Sequence, residues 1–205
     1  MTTITPILLA AGASSRMGRP KALLDFDGRC CLELALEAVQ GYGTPILVLG
    51  PNHEEIRARV PLDPVRVAYN LEVESGQTAS LKAGLALLPP EAEAFFFMPV
   101  DVPLLTPPDI ARLVDAWRSS PDPRRSVFIP SHEMRRGHPV LCRHDLAAEI
   151  LALPRGASAR EVMNREPDRV GYVLYPDAYV LMDMDTPEDY VRCLGAYRAR
   201  NARNP

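Results

Sequence analysis

Basic residues are not in excess in this sequence, which has 23 lysines and arginines against 26 aspartates and glutamates. The formal net charge is -3. Proteins that bind nucleic acid or a membrane surface through charge carry a surplus of basic residues, so we expect neither as a partner. No stretch approaches the roughly 18 apolar residues that span a bilayer. The first residues, MTTITP, lack the layout of a secretory signal. These absences favour a cytoplasmic protein.

Cysteine and histidine patterns typical of metal or redox sites are missing as well. The four cysteines show no C-x-x-C spacing, and a disulfide between the adjacent Cys30 and Cys31 would be awkward. We therefore expect reduced thiols. The four histidines form neither H-E-x-x-H nor a cluster with cysteine, so a zinc site has little support.

Short apolar segments alternate with helical patterns along the chain. The 205 residues, 47% of them apolar, can form one sizeable core. We predict a single domain over residues 1–205, although two small domains would also fit this length. Alternating strands and helices are typical of an α/β protein with three layers, α/β/α, and a mostly parallel, Rossmann-like central sheet. In such folds, ligands bind at the carboxyl ends of the strands.

The stretch from Ile7 to Lys21 is the most informative part of the sequence. Its apolar start predicts a buried strand, which ends at Gly12 in a turn of small residues. Exposed N–H groups in such a turn form a nest for phosphate. Arg16, Arg19 and Lys21 follow without an acid between them, which suits a polyphosphate. The predicted nucleotide-binding residues here are Leu9, Ala10, Ala11, Gly12, Ala13, Ser14, Ser15, Arg16 and Lys21.

The common phosphate-loop motifs do not match this stretch. A Walker loop needs G-x-x-x-x-G-K-[ST], whereas Arg19 and Pro20 follow Gly18, and G-x-G-x-x-G is also missing. The stretch instead resembles the opening motif L-A-A-G-x-S-x-R-M-G-x-x-K of the nucleotidyltransferases that attach a nucleotide to the molybdenum cofactor. The matching positions are Leu9, Ala10, Ala11, Gly12, Ser14, Arg16, Met17, Gly18 and Lys21. The simpler alternative is a basic surface loop after a core strand.

A second stretch, from Asn70 to Leu88, has the pattern of a loop followed by an amphipathic helix. The N-terminus of a helix offers free N–H groups and a partial positive charge. The stretch resembles the family motif N-P-x-x-x-x-G-x-x-x-S-L, whose glycine and serine lie beside the nucleotide base, although Leu71 replaces the usual proline. The resemblance and the helix start add to the predicted nucleotide site Asn70, Gly76, Gln77 and Ser80. Without the opening motif, this segment would be only a loop and a helix cap.

Carboxylates follow two further predicted strands. Asp101 ends the apolar segment 94–100, and the family shows G-D-x-P here, with Val100 in place of its glycine. Alternation over residues 179–185 predicts a strand that projects Asp183 and Asp185 to one face, and this segment resembles the family's D-x-D-T-P-E-D. Mg²⁺ prefers carboxylate, phosphate and water oxygens. We predict a Mg²⁺ site, with Mn²⁺ as the alternative, at Asp101 and Asp185, helped or replaced by Asp183.

Two Thr-Pro pairs predict helix starts, at Thr106 and at Thr186. Threonine can cap a helix, proline suits the first turn, and an acid is favourable near the positive end. Asp109 fits that last position in the first helix, and Glu188 and Asp189 fit it in the second. Asp101 has no such role, which leaves it for a metal.

The segment R-G-H-P, residues 136–139, is followed by apolar residues and resembles a motif that borders the acceptor site in the molybdenum cofactor family. This makes His138 a candidate for contact with an acceptor phosphate or for proton handling, although a histidine in a loop is more often structural. The later segment PRGASAR, residues 154–160, loosely resembles the family's G-D-x-G-A-R but lacks its aspartate.

The resemblance runs from Leu9 to Asp189 and implies the nucleotide-diphospho-sugar transferase fold. The implied activity is transfer of CMP from CTP to molybdopterin with release of pyrophosphate, because Ala10 and Ala11 accompany CTP in this family, whereas two glycines accompany GTP. A molybdenum hydroxylase is a candidate partner. The alternatives are a sugar or alcohol phosphate as acceptor, and a non-catalytic accessory protein. The implied catalytic residues are Arg16, Lys21, Asp101, Asp185 and His138.

Overall fold

The computed structural model describes residues 3–12, 14–72 and 76–202. Ten strands lie in these ranges. In chain order they are β1 (Ile4–Ala10), β2 (Asp25–Phe26), β3 (Arg29–Cys30), β4 (Ile46–Leu49), β5 (Arg66–Tyr69), β6 (Ala94–Pro99), β7 (Val127–His132), β8 (Arg135–Arg136), β9 (Val140–Arg143) and β10 (Val170–Leu174).

Eight strands form one central sheet with the order β10-β7-β9-β6-β1-β4-β5, and β8 pairs with β7 outside this path. Strand β1 pairs in parallel with both β4 and β6. Strand β9 is antiparallel to its neighbours β6 and β7. The mostly parallel sheet is confirmed, with its carboxyl ends at one edge.

Seven α-helices lie in the described part of the chain. They are α1 (Cys31–Ala38), α2 (His53–Arg59), α3 (Gly76–Leu85), α4 (Pro107–Arg118), α5 (Leu146–Leu151), α6 (Ala159–Met163) and α7 (Pro187–Asn201). None of the helices in these ranges has both the length and the apolar character needed to cross a membrane.

The side chains of β1 alternate between two hydrophobic clusters, one on each face of the sheet. Ile4 and Leu8 belong to the cluster that includes residues of α1 and α4. Ile7 and Leu9 belong to the cluster that includes residues of α3, α5 and α6. A strand buried on both faces is apolar throughout, which explains the unbroken apolar run and confirms the three-layer prediction.

A third hydrophobic cluster joins the start of the chain to its last helix. It consists of buried residues from β2 and the residue before it, from α1, and from α7 and the segment before it, which are Leu24, Phe26, Cys31, Leu34, Met184 and Cys193. The ring of Phe26 makes edge contacts with Tyr190 and Tyr197 of α7, at centroid distances of 5.6 and 5.4 Å. Helix α7 is therefore packed against the hairpin formed by β2 and β3.

Both predicted helix starts are confirmed as capping boxes. The Thr106 backbone N–H donates to Asp109 Oδ2 at 2.8 Å at the start of α4. At the start of α7, Thr186 N–H donates to Asp189 Oδ2 at 2.9 Å, and Thr186 Oγ1 accepts from Asp189 N–H. Each box satisfies N–H groups that would otherwise lack partners.

The predicted strand over residues 179–185 is wrong. Ala178–Leu181 forms a 3-10 helix, and residues 182–185 are irregular. The segment bonds locally, because Asp183 N–H donates to Leu181 O and Asp185 N–H donates to Asp189 Oδ2. The alternation of methionine and aspartate is therefore not a strand pattern, and Asp183 and Asp185 do not share a sheet face.

Candidate nucleotide and acceptor site

The carboxyl ends of β1 and β6 open into a cavity of about 340 Å³. Most of the predicted nucleotide-site residues line it. Those in its lining are Leu9, Ala10, Ala11, Gly12, Ser14, Arg16, Lys21, Gly76, Gln77 and Ser80. The predicted metal ligands Asp101 and Asp185 line it as well. Ala13 and the side chain of Ser15 lie outside the described part of the chain. Asn70 is not part of the lining, but its Nδ2 donates to Oγ of the lining residue Ser80 at 2.9 Å.

The opening loop folds back on itself so that Lys21 returns to the cavity. Ser14 adopts a left-handed backbone with φ 51°, and Gly18 does so with φ 65°. The Lys21 backbone N–H donates to Ser14 Oγ at 3.0 Å, which closes the loop. Ala22 and Leu23 are buried in the core, so the position of Lys21 is fixed from both sides.

Lys21 joins two acids that are far apart in the sequence. Its Nζ donates to Asp101 Oδ2 and to Asp185 Oδ1, each at 2.7 Å. Arg16 Nη1 lies 3.9 Å from Asp185 Oδ2. Four of the five residues predicted as catalytic therefore meet in one cavity, although Asp183 is not part of its lining.

Burial and charge give the two acids different pKa values. The side chain of Asp101 is 16% exposed and that of Asp185 is 52% exposed. Burial raises the pKa of Asp101 despite the opposing effect of Lys21, and the charges of Asp183 and Asp185 raise it further. The hydrogen bond and charge of Lys21 lower the pKa of Asp185. Burial alone would lower the pKa of Lys21, but its carboxylate partners outweigh burial and raise it.

The acid pair fits a hard divalent cation. Asp101 Oδ1 is buried without a hydrogen-bond partner in the structure, and such an atom is costly unless a ligand satisfies it. Over residues 3–12, 14–72 and 76–202, no group of three or more histidine, cysteine, aspartate or glutamate side chains is arranged to hold a metal ion. Phosphate and water oxygens would therefore have to complete the coordination of a cation at Asp101 and Asp185.

A second cavity of about 650 Å³ shares Gly76 and Gln77 with the first. Its charged lining residues in the described part of the chain are Arg136 and Arg160, and no carboxylate side chain is among them. Its apolar wall comprises Leu81, Phe97, Ile129, Val140 and Met163. This cavity suits a ligand with both an anionic group and an apolar or aromatic body.

His138 lies in this second cavity, away from the acid pair. Its backbone N–H donates to Val180 O at 2.9 Å, and its Nδ1 is buried without a hydrogen-bond partner. Burial, helped by the charge of Arg160, lowers the pKa of His138 to about 4. The imidazole is therefore neutral near pH 7 and can donate or accept a hydrogen bond, but it brings no positive charge.

The second cavity contains residues that sequence reasoning missed. Arg136 Nη1 donates to Asn164 Oδ1 at 2.7 Å and its guanidinium lies over the Tyr172 ring at 5.3 Å. Arg136 lies on β8, Asn164 directly follows α6 and Tyr172 lies on β10, so no local pattern connects them. The S-A-R ending of residues 154–160, which resembles the G-A-R of the family motif, was the available signal for Arg160. Asn52, which lines the first cavity, had none.

A small-residue turn and two cations at the carboxyl ends of parallel strands, beside an acid pair, are typical of an enzyme that handles nucleoside triphosphates. Residues 6–170 match the MobA-like NTP transferase domain, and the chain belongs to this family of nucleotidyltransferases. The matched part ends before Asp185.

Similar proteins span nearly the whole chain. The "Nicotine blue oxidoreductase" of Paenarthrobacter nicotinovorans is 33% identical over 197 residues, which covers 93% of this chain and 96% of that protein. The "Molybdenum cofactor cytidylyltransferase" of Escherichia coli K12 is 27% identical over 199 residues, covering 96% of this chain and 98% of that protein. The crystal structure of Rv0371c from Mycobacterium tuberculosis H37Rv is 28% identical, with a TM-score of 0.83 over 95% of this chain and 98% of that one.

Proposed function

We propose that this enzyme transfers CMP from CTP to molybdopterin and releases pyrophosphate. The observation that carries the proposal is the arrangement of two cavities with a common wall. One contains Lys21 between Asp101 and Asp185, and the other is lined by arginines without a carboxylate in the described chain. A nucleotide donor and an anionic acceptor would meet at Gly76 and Gln77, which line both cavities.

The first cavity would bind the nucleotide through its phosphates. Arg16 and Lys21 supply positive charge, and the N–H groups of the opening loop supply directed donors. As an acceptor oxygen attacks the α-phosphate in line, these groups would hold the leaving pyrophosphate. Ala10 and Ala11 line the cavity, and we propose that two alanines here leave less room for a purine than two glycines would.

Asp101 and Asp185 would hold a divalent metal ion. When bound there, the metal would neutralise negative charge on the α-phosphate. A structure of Rv0371c is described as a complex with manganese, and it is 26% identical with a TM-score of 0.80 over 95% of this chain and 100% of that one. This relative supports a divalent cation, and we propose Mg²⁺ for this chain. Asp183 would add negative charge near this site, since its charge already acts on Asp101 and raises the pKa of that residue.

The second cavity would bind the acceptor. Arg136 and Arg160 can pair with a phosphate, and the apolar wall can pack against a ring system. Neutral His138 would position the acceptor by hydrogen bonding rather than by charge. Little proton transfer is needed when a phosphate oxygen is the nucleophile, so the reaction does not require a strong general base. We propose a molybdenum hydroxylase as the recipient of the product.

One relative favours a second candidate function. The protein of Paenarthrobacter nicotinovorans is named as an oxidoreductase, and its identity to this chain exceeds that of the Escherichia coli cytidylyltransferase. A redox reaction on nicotine blue or a similar compound in the second cavity is therefore the alternative to nucleotide transfer. The Lys21 bridge between two acids favours the transferase, because it suits a metal-bound triphosphate and has no evident use in a redox reaction.

Pyrophosphate release separates these functions. The purified protein is incubated with Mg²⁺ and CTP, GTP or UTP, with and without molybdopterin, and we expect release only with CTP and molybdopterin together. Release with a sugar phosphate would instead identify another acceptor class. Consumption of NADH or NADPH with nicotine blue, without pyrophosphate release, would favour the oxidoreductase. Tight binding of CTP without turnover would favour an accessory protein.

A further inference from the structure

Arg200, in the last turn of α7, has a side chain that is only 20% exposed. It makes four contacts with groups outside α7. Its guanidinium donates to Leu104 O at 2.6 Å, Thr106 Oγ1 at 3.1 Å and Asp109 Oδ2 at 2.8 Å, and it lies over the Tyr179 ring at 4.6 Å.

These contacts join the two segments that carry the acid pair. Asp101 lies in the connection between β6 and α4, and Leu104 and Thr106 are the part of that connection that Arg200 holds. Asp185 follows the 3-10 helix that contains Tyr179. Because Arg200 contacts both segments, it restricts how far one can shift relative to the other.

Helix α7 also links Arg200 to Asp185. Asp185 N–H donates to Asp189 Oδ2 in the first turn of α7, and Arg200 lies on the same helix. A helix of this length is a stiff element, so its two ends move together. Arg200 thus links the Asp101 connection to the helix whose first turn holds Asp185.

The contact geometry depends on arginine. A guanidinium is planar, donates in several fixed directions and stacks on aromatic rings. A lysine ammonium neither donates in fixed directions nor stacks on rings. Arg200 uses this geometry with a carbonyl, a hydroxyl, a carboxylate and a ring at once. Lysine at this position would keep the charge but not the set of contacts.

We propose that Arg200 is a positioning residue that sets the spacing of Asp101 and Asp185 and so the affinity of the nucleotide site for its divalent cation. This inference rests on the proposed function. Residues that orient metal ligands without touching the metal typically change metal affinity by roughly 10- to 100-fold when they are replaced. A purely structural role would lower stability and leave metal affinity unchanged in the folded fraction.

Arg198 provides a matched control on the same helix. It forms a two-nitrogen ion pair with Asp27, in the turn between β2 and β3, with contacts of 2.6 and 3.0 Å. Asp27 belongs to neither segment that carries the acid pair. Arg198→Gln therefore removes an ion pair, although a more exposed one, from α7 without touching the connection after Asp101.

The test is Mn²⁺ binding in the presence of saturating CTP, measured by electron paramagnetic resonance on wild type, Arg200→Gln and Arg198→Gln. We expect Arg200→Gln to weaken Mn²⁺ binding by roughly 10-fold or more and to lower kcat, with KM for CTP nearly unchanged at saturating Mn²⁺. Arg198→Gln should bind Mn²⁺ as wild type does. Equal Mn²⁺ affinity in Arg200→Gln and wild type, or equal losses in both variants, would overturn the proposal.

Two further variants cover the case in which Arg200→Gln does not fold. Arg200→Lys keeps the charge, and Tyr179→Leu removes only the stacking ring, so each should weaken Mn²⁺ binding by less than the full loss. Wild-type affinity in both would refute the positioning role. If the wild type itself binds no Mn²⁺ in the presence of CTP, the proposed function fails, and the proposed role of Arg200 fails with it. If the wild type binds Mn²⁺ and the variants bind it with equal affinity, only the role of Arg200 fails.

Discussion

Lys21 and Asp101 are 80 positions apart in the chain, yet Lys21 Nζ donates to Asp101 Oδ2 at 2.7 Å. The same nitrogen reaches Asp185 at the same distance. A single ammonium group therefore holds both acids that we propose for the metal site. This contact determines what should happen when either partner is changed.

Asp101→Asn should reduce pyrophosphate release by at least about 100-fold, because it removes the negative charge of a proposed metal ligand. A bound metal stabilises transition-state charge by several kcal/mol, and a loss of that size gives such a factor. The fold should be preserved, since the asparagine side-chain oxygen can still accept from Lys21 Nζ and Asp101 Oδ1 has no hydrogen-bond partner to lose. Steady-state kinetics and circular dichroism check this. Asp168→Asn, at the opposite end of the sheet before β10, is the control and should be fully active. Near-normal turnover in Asp101→Asn would refute its role.

Lys21→Met should have opposite effects on two ligands. Loss of the charged donor should weaken CTP binding by about 1.5–3 kcal/mol, roughly 10- to 100-fold. Mn²⁺ in the absence of nucleotide should bind more tightly than to wild type, because the two carboxylates lose the cation that now lies between them. Isothermal titration with each ligand measures both changes. Weaker Mn²⁺ binding would contradict the expectation that ammonium and metal compete.

His138→Gln should change how stability depends on pH. The pKa of His138 is about 4 in the folded chain, below the ordinary value of about 6.5. Between these pH values the unfolded chain binds more protons, so the wild type loses stability as the pH falls from 6.5 to 4. The loss is at most about 3 kcal/mol. Urea unfolding at pH 7.5, 6.5, 5.5 and 4.5 should show a flatter profile for the variant, and parallel profiles would contradict the assigned pKa.

Gly50→Ala should change the shape of the first cavity, because it displaces Ala11, which lines it. A Cβ at Gly50 would lie 2.4 Å from the backbone oxygen of Ala11, so the opening loop would have to shift. We expect a loss of about 1–3 kcal/mol in stability and weaker CTP binding. Gly195→Ala, on the exposed side of α7 with nothing within 4 Å of the added carbon, should instead stabilise the protein by up to about 1 kcal/mol. Thermal unfolding and CTP titration of both variants check this, and unchanged CTP affinity in Gly50→Ala would contradict the prediction.

Local patterns predicted the elements that are determined by nearby residues. The run before Gly12 is apolar because β1 is buried on both faces, and the Thr-Pro pairs mark helices because capping depends on four consecutive residues. The opening loop could be assigned for the same reason. Its small residues, its cations and the strand before it all lie within one short stretch.

Features that depend on residues far apart in the chain could not be predicted from local sequence patterns. The alternation over residues 179–185 suggested a strand, but a strand needs a partner, and Val180 O instead accepts from His138 N–H. The antiparallel direction of β9 and the position of β10 at the sheet edge also depend on distant pairing. The bond between Lys21 and Asp185 joins residues 164 positions apart, which only a folded chain or a known family can indicate.

The packing of α7 onto the hairpin formed by β2 and β3 has a consequence for how this enzyme can be shortened. The family match ends at residue 170, and a fragment cut there would keep the opening loop, Lys21 and Asp101. It would lack Asp185 and the aromatic residues that cover Phe26. Such a fragment would expose an apolar surface beside a half-built metal site, so the segment after residue 170 belongs in any minimal catalytic unit.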